Sequence, residues 1–350
     1  MSASAPSSHN LKVLLVLPYE PAAFMQTDID ILGRHLDLDV IVHNRGKMRL
    51  ALSVLRHLML HRPDVLLMWF IVPSYALALT ALAKLFGVRV AFFTGGYDIV
   101  SMPGIGFGAM RFPLFRFLIK PTLALADAVF PFSESAARHL RKYARPRRSK
   151  VIYPSVDVEF FTPDPEINRK PMAMTVSPVI ESSIVQKGLK TFVEAAEYAP
   201  GMRWVLVGNS PDGSLDSLRQ IAAPNVEFID RFIPAEELRD LYRRASCYVQ
   251  ASVHEGFGVA VAEAMACGAV PVVTKRFSLP EVTGGLGEFI PLNDPQAIAA
   301  AALRTLGVPP QQRQRMRARI ADNYPLGRRE RELTEAVREL VFPGKSAQER

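Results

Sequence analysis

Two cysteines in 350 residues, Cys247 and Cys267, are too few for a disulfide framework. Both stand among apolar neighbours and read as buried thiols in a reducing compartment. The first ten residues are polar and lack the charged-then-apolar pattern of a secretion signal. The expected location is therefore cytoplasmic, with the inner face of a membrane as the place where the chain could sit peripherally. Long uncharged runs are scarce. The one at 65–83 is nearly long enough to span a bilayer, but Pro73-Ser74-Tyr75 interrupts it, so it reads as a buried strand followed by a helix.

An apolar content of 49% with 22% charged residues excludes a disordered chain, and the length suggests two domains. The net charge of +8 is concentrated. Residues 111–150 hold ten Lys/Arg against two Asp/Glu, interleaved with Phe112, Phe115, Phe117, Leu118 and Ile119. A solvated basic face would account for this. An anionic membrane surface would suit it equally, because cations and aromatics together favour lipid headgroups. No nucleic-acid module accompanies the basic residues, so no nucleic-acid partner is expected.

The first half alternates short apolar runs, as in strands buried on both faces, with helical segments. Strands are expected at 12–18, 39–43, 65–72, 89–94 and 128–132, with helices between them. A Pro-rich linker follows, Val151-Ile-Tyr-Pro-Ser-Val-Asp157 through Phe161-Thr-Pro163. The rhythm then restarts with strands at 172–178, 203–208, 226–229, 247–250 and 269–274. This pattern predicts an α/β protein of two Rossmann-like domains facing a cleft, spanning 1–155 and 156–325. A C-terminal helix at 326–345 is expected to pack back on the first. Ligands of such folds sit at the carboxyl ends of the strands.

The most informative segment is His254-Glu255-Gly-Phe-Gly258, followed by Glu263 inside Ala-Glu-Ala-Met-Ala-Cys-Gly268. If a helix starts near Gly258, its free N–H groups favour an anion such as a diphosphate. Gly256 and Gly258 let backbone approach a ligand closely. Glu263 could hold a ribose diol and Glu255 the hydroxyls of a sugar. By spacing alone, a capping Glu255 and an exposed helical Glu263 explain the pair better.

The wider string resembles the retaining GT-B glycosyltransferases of the family 4 type, the "glycosyl transferases group 1" family. Its E-x7-E signature is matched by Glu255 and Glu263. The resemblance extends to Leu279-Pro-Glu-Val282, the linker, Lys187-Gly188-Leu-Lys-Thr-Phe192 and Val205-Leu-Val-Gly208, covering nearly all of 150–290. It implies that Glu255 contacts the donor sugar and that Glu263 binds the ribose. It also implies that Lys187 binds the donor diphosphate, and that the backbone of Gly256, Phe257 and Gly258 lies against phosphates and sugar. The implied reaction moves a sugar, with retention, from a nucleotide-diphosphate sugar to the hydroxyl of a glycan, lipid-linked or small-molecule acceptor, as in polysaccharide biosynthesis. No cofactor is implied and no metal, and neither an Asp-x-Asp pair nor a histidine cluster stands near these motifs.

The chain departs from the family pattern in three places, the first being that the glycine pair common after the first strand is absent and Pro18-Tyr-Glu-Pro-Ala-Ala-Phe24 stands there. The arginine of Gly-Arg-Leu is missing before Lys187, which removes one cation. Where relatives carry His-Gly-x-Asp after the fourth strand, this chain has Gly95-Gly96-Tyr97-Asp98. Asp98 is the candidate catalytic group of the first domain, with loop structure as its other reading. The missing arginine and histidine would also suit a non-catalytic nucleotide-sugar or glycan-binding protein. A nucleotide-sugar epimerase shares the architecture.

Overall fold

The computed structural model describes residues 11–44 and 46–344. The polar N-terminal stretch and the last residue of the expected 326–345 helix lie outside these.

The first lobe carries five parallel strands: β1 (Lys12–Leu17), β2 (Asp37–Val42), β3 (Val65–Trp69), β4 (Arg89–Thr94) and β5 (Ala128–Pro131), in the order β2-β1-β3-β4-β5. Alternation along these apolar strands divides them between two cores. Leu14, Val16, Leu66, Met68 and Phe92 join a cluster with the helices Lys47–Leu60, Ala76–Leu85 and Pro113–Leu125. Val13, Leu15, Leu67, Trp69 and Phe93 join a second cluster on the other face. A strand buried on both faces needs no polar side. The run at 65–83 accordingly forms β3 and a separate helix. Among the described residues no helix is long and apolar enough to cross a membrane.

The second lobe holds β6 (Lys170–Val176), β7 (Arg203–Val207), β8 (Val226–Ile229), β9 (Ala245–Gln250), β10 (Val270–Thr274) and β11 (Glu288–Ile290). Their order is β11-β10-β9-β6-β7-β8, again all parallel. Apart from short 3-10 turns, three elements escape the pattern of the sequence: β11 and the helices Glu181–Gln186 and Leu279–Thr283. Each has six residues or fewer, too few for a period to register.

The chain then crosses back. Helix Leu326–Val341 packs beside helix Ala23–His35 of the first lobe. Arg329, 3% exposed, forms a bidentate pair with the fully buried Asp28, at 2.5 and 2.6 Å, and donates to the carbonyl of Ile152. Burial raises the carboxyl pKa of Asp28, and the guanidinium opposes that rise. This Asp28 belongs to one of two Asp-x-Asp triplets, 28–30 and 37–39, that lie far from the motif segment. Asp28 is occupied by Arg329, while Asp39 pairs with His61 at the surface. Cys247 and Cys267 are free and buried, and desolvation pushes both thiols up to about 12.

Candidate active site

A cavity of about 600 Å³ lies between the lobes at the carboxyl ends of β1, β3, β4, β6 and β9. Its C-terminal wall is the loop after β9. That loop ends at Gly258 (φ 101°), a left-handed position that glycine adopts without steric cost. Helix Val259–Ala266 follows with no side-chain cap, and Val259 and Ala260 line the cavity. The unsatisfied N–H groups of the first turn therefore sit beside the space where a ligand would lie.

Glu255 and Lys187 meet on this wall. The Lys187 ammonium donates to both carboxylate oxygens, at 2.7 and 3.0 Å. Ser252 Oγ and Gln250 Nε2 donate to Oε1, at 2.7 and 3.0 Å, and Tyr248 donates in turn to Gln250. Glu255 is 8% exposed. Its charge is tolerated there because donors from three residues surround it. Lys187 is pressed into place by Gly188 (φ 68°), where a Cβ would lie 2.3 Å from the carbonyl oxygen of Ala251. Lys187 is the sole Lys or Arg lining the cavity among the described residues.

The first lobe meets this wall backbone to backbone. A Cβ on Gly256 would fall 2.2 Å from the carbonyl oxygen of Gly95, and one on Gly95 would fall 2.2 Å from Phe132 Cδ2. Ser133 Oγ donates to the carbonyl of Gly256 at 2.9 Å. Glu281, in the Leu-Pro-Glu-Val motif, reaches across to cap the first-lobe helix Glu134–Arg141. It accepts from the N–H groups of Glu134 (2.8 Å) and Ser135 (3.2 Å), and from the Tyr153 hydroxyl at 2.6 Å. A carboxylate at a helix N-terminus is favoured by the partial positive charge there.

Asp98 lines the cavity from the first lobe but is itself buried. Oδ2 accepts from the N–H of Ile71 and Oδ1 from that of Gly96, both at 3.1 Å. Burial raises the pKa of its carboxyl, against those hydrogen bonds. With both oxygens engaged on backbone, Asp98 holds the loop 95–98 to the end of β3. Glu263 lies apart from the other expected residues. It sits one turn beyond Val259, outside the cavity lining, and accepts from the Tyr242 hydroxyl at 3.2 Å. Desolvation pushes its carboxyl up to about 7, with the Tyr242 hydrogen bond opposing.

Sequence reasoning missed His254, Gln250, Ser252, Glu281 and the aromatic side of the cavity. His254 lines the cavity, 4% exposed, between the rings of Phe107 (5.3 Å) and Phe277 (4.4 Å). Burial, then the nearby Lys187 charge, pushes its pKa down to about 3, so it is neutral at physiological pH. Its place beside Glu255 was the available clue. Gln250 and Ser252 are ordinary polar residues that only the folded loop turns toward Glu255.

Residues 173–307 match the family model described as Glycosyl transferases group 1. The O-antigen chain mannosyltransferase B of Escherichia coli is 43% identical over 75 residues, which is 21% of this chain and 20% of that protein. A D-inositol 3-phosphate glycosyltransferase of Mycobacteroides abscessus is 31% identical over 149 residues, 39% of this chain and 34% of that protein. The alignments thus span about a third or less of these relatives' length. Among solved structures, HepE of Anabaena, in complex with UDP and glucose, superposes with a TM-score of 0.74 at 16% identity, over 94% of this chain and 99% of that one. Sucrose-phosphate synthase from Thermosynechococcus elongatus gives 0.76 at 17%, over 94% and 99%. The described backbone takes the GT-B fold, and its second lobe carries the segment that matches the group 1 glycosyltransferase model.

Proposed function

We propose that this chain transfers a glycosyl group from a nucleotide-diphosphate sugar to an acceptor hydroxyl, with retention of anomeric configuration. The observation that carries this reading is the pairing of Lys187 with Glu255 beside an uncapped helix start, on one wall of a cleft cavity. The ammonium and the free N–H groups suit a departing diphosphate, whose growing charge they stabilise without reorganisation. Glu255 is the catalytic candidate, holding donor-sugar hydroxyls with a carboxylate already oriented by Ser252 and Gln250. Gly256, Phe257 and Gly258 offer backbone to the donor, and Glu263, one turn past the cavity lining on the same helix, is assigned a ribose that extends beyond that lining. Asp98 acts as a positioning residue, since its oxygens are committed to Ile71 and Gly96. The remaining work is orientation of two substrates in a closed cleft.

Donor turnover by Glu255→Gln and Lys187→Ala tests the assignment, and unchanged rates in both would refute it. The anomeric configuration of the product by NMR tests retention. A non-catalytic nucleotide-sugar-binding protein is the second reading, favoured by Lys187 being the single lining cation among the described residues; donor binding without turnover would establish it.

The acceptor is a glycan or lipid-linked alcohol, and the first lobe docks on an anionic membrane. On helix Pro113–Leu125, Leu114 and Phe117 (73% exposed) stand out into solvent beside Arg116 and Lys120. Apolar side chains among cations fit the headgroup boundary of a bilayer. Flotation with phosphatidylserine vesicles at low salt should carry the protein upward, and loss of binding in Phe117→Glu should follow. Absence of wild-type flotation refutes the docking.

A further inference from the structure

The two walls of the cavity differ in chemistry. The second lobe supplies Lys187, Glu255, Gln250, His254 and backbone N–H groups. The first lobe supplies rings and aliphatic side chains, principally Tyr19, Phe24, Phe70, Ile71, Phe107 and Phe132. Among the described residues its one charged lining residue is Asp98, whose carboxylate is spent on backbone. Tyr19 is 49% exposed, and Phe24 and Phe70 are only partly buried, so apolar surface is left open toward the cleft.

Phe70 adds an independent observation. It directly follows β3 with φ 64°, a left-handed conformation that bulky residues rarely adopt. Glycine or asparagine would occupy that position without strain. Instead a benzyl ring is held there, edge-on to Trp69 (5.7 Å) and Phe132 (6.1 Å), with Tyr19 at 6.4 Å. Strain retained at a cavity wall marks a position where the side chain serves the site.

Resting on the reading of the site as a glycosyl-transfer centre, we propose that the first-lobe wall selects an acceptor that is uncharged around its reacting hydroxyl and carries an apolar group beside it. Sugar phosphates are selected against. A phosphate monoester requires fixed cations or N–H donors. Lys187 and the helix-start N–H groups lie on the opposite wall, where the donor is held, and Asp98 adds like charge. An alkyl or aryl group, by contrast, covers the open rings and gains their burial. A lipid tail and an aryl aglycone share this chemistry.

The test is isothermal titration of the full chain, in the presence of nucleoside diphosphate, with four derivatives each of glucose, mannose, galactose and N-acetylglucosamine. These are the octyl glycoside, the p-nitrophenyl glycoside, the methyl glycoside and the 6-phosphate. For the sugar that binds, the octyl or p-nitrophenyl glycoside should bind at least tenfold tighter than the methyl glycoside, and the 6-phosphate weakest. Which of the two leads separates a lipid from an aryl source. Phe70→Leu should cut the octyl-to-methyl ratio several-fold. Val72→Arg, at a partly exposed lining position, should raise affinity for the 6-phosphate at least tenfold. A methyl glycoside binding as well as the octyl form, a 6-phosphate binding tightest, or no glycoside binding at all would overturn the proposal. Hydrolysis of nucleotide-diphosphate sugars without acceptor is measured in parallel. If the donor is turned over and phosphates are preferred, only the acceptor inference fails; if no donor is bound or cleaved, the glycosyl-transfer reading itself fails.

Discussion

Glu263→Gln should stabilise the fold above pH 7 and leave it nearly unchanged at pH 4. The wild-type carboxyl is pushed up to about 7 by desolvation, from an ordinary 4.5. Below 4.5 it is protonated in both folded and unfolded chains, and no free energy depends on it. Between 4.5 and about 7 the unfolded chain loses the proton while the folded one keeps it, so wild-type stability falls as pH rises. Above 7 the full cost is present. At about 1.4 kcal/mol per pH unit the ceiling is about 3 kcal/mol. Glu263 keeps partial exposure, which brings the expected difference to about 1–3 kcal/mol. Glutamine carries no charge to desolvate and its carbonyl can still accept from the Tyr242 hydroxyl. Urea unfolding of both proteins at pH 4, 5.5, 7 and 8.5 measures the difference, and contributions from other titrating groups cancel between them. A difference that does not change with pH refutes the desolvation argument. Under the proposed ribose contact a diol donates to the ionised carboxylate, so wild-type donor affinity should rise as pH passes 7, and that of the variant should be weaker and flat.

Other expectations follow from the same geometry. His254 is neutral when folded, with a pKa near 3, and protonates near 6.5 when unfolded. Stability should therefore be fully present above 6.5 and fall toward pH 3 by up to about 1.4 kcal/mol per pH unit; His254→Phe should flatten that limb in acid unfolding curves. Gly256→Ala sets a methyl against the carbonyl oxygen of Gly95 and forces the lobes apart. Donor turnover should drop on the order of a hundredfold, with a larger radius of gyration in X-ray scattering; a fully active variant would contradict the contact. Glu281→Ala removes the acceptor for two N–H groups and the Tyr153 hydroxyl, costing about 1.5–3 kcal/mol in thermal unfolding. A double-mutant cycle with Tyr153→Phe should show coupling, and strict additivity would refute it.

Much of the architecture is legible along the chain. The run Lys12–Leu17 needs apolar neighbours on both faces, so its composition already demands a parallel sheet with helices on each side. The restart of that rhythm after the linker announces a second sheet. Short elements were not legible: Glu181–Gln186 and Glu288–Ile290 are held by tertiary contacts, because so few residues carry no period. In the site, Glu255, Lys187 and the Gly-Phe-Gly loop could be singled out because their types and spacing match a motif. The aromatic wall could not, since Tyr19, Phe24, Phe70, Phe107 and Phe132 are dispersed over more than a hundred residues and read individually as core.

By its sequence alone the chain determined all its strands but β11, its two-lobe division and the residues of the Gly-Phe-Gly loop, because local apolar periodicity and glycine placement act over short stretches. Only the tertiary structure decided that Lys187 and Glu255 neutralise each other, that Asp98 spends its carboxylate on a loop, that Glu263 stands outside the cavity, and that Gly256 touches Gly95 across the cleft. Those outcomes depend on which groups are brought within about 3 Å and stripped of water, and both depend on how the two lobes close on each other.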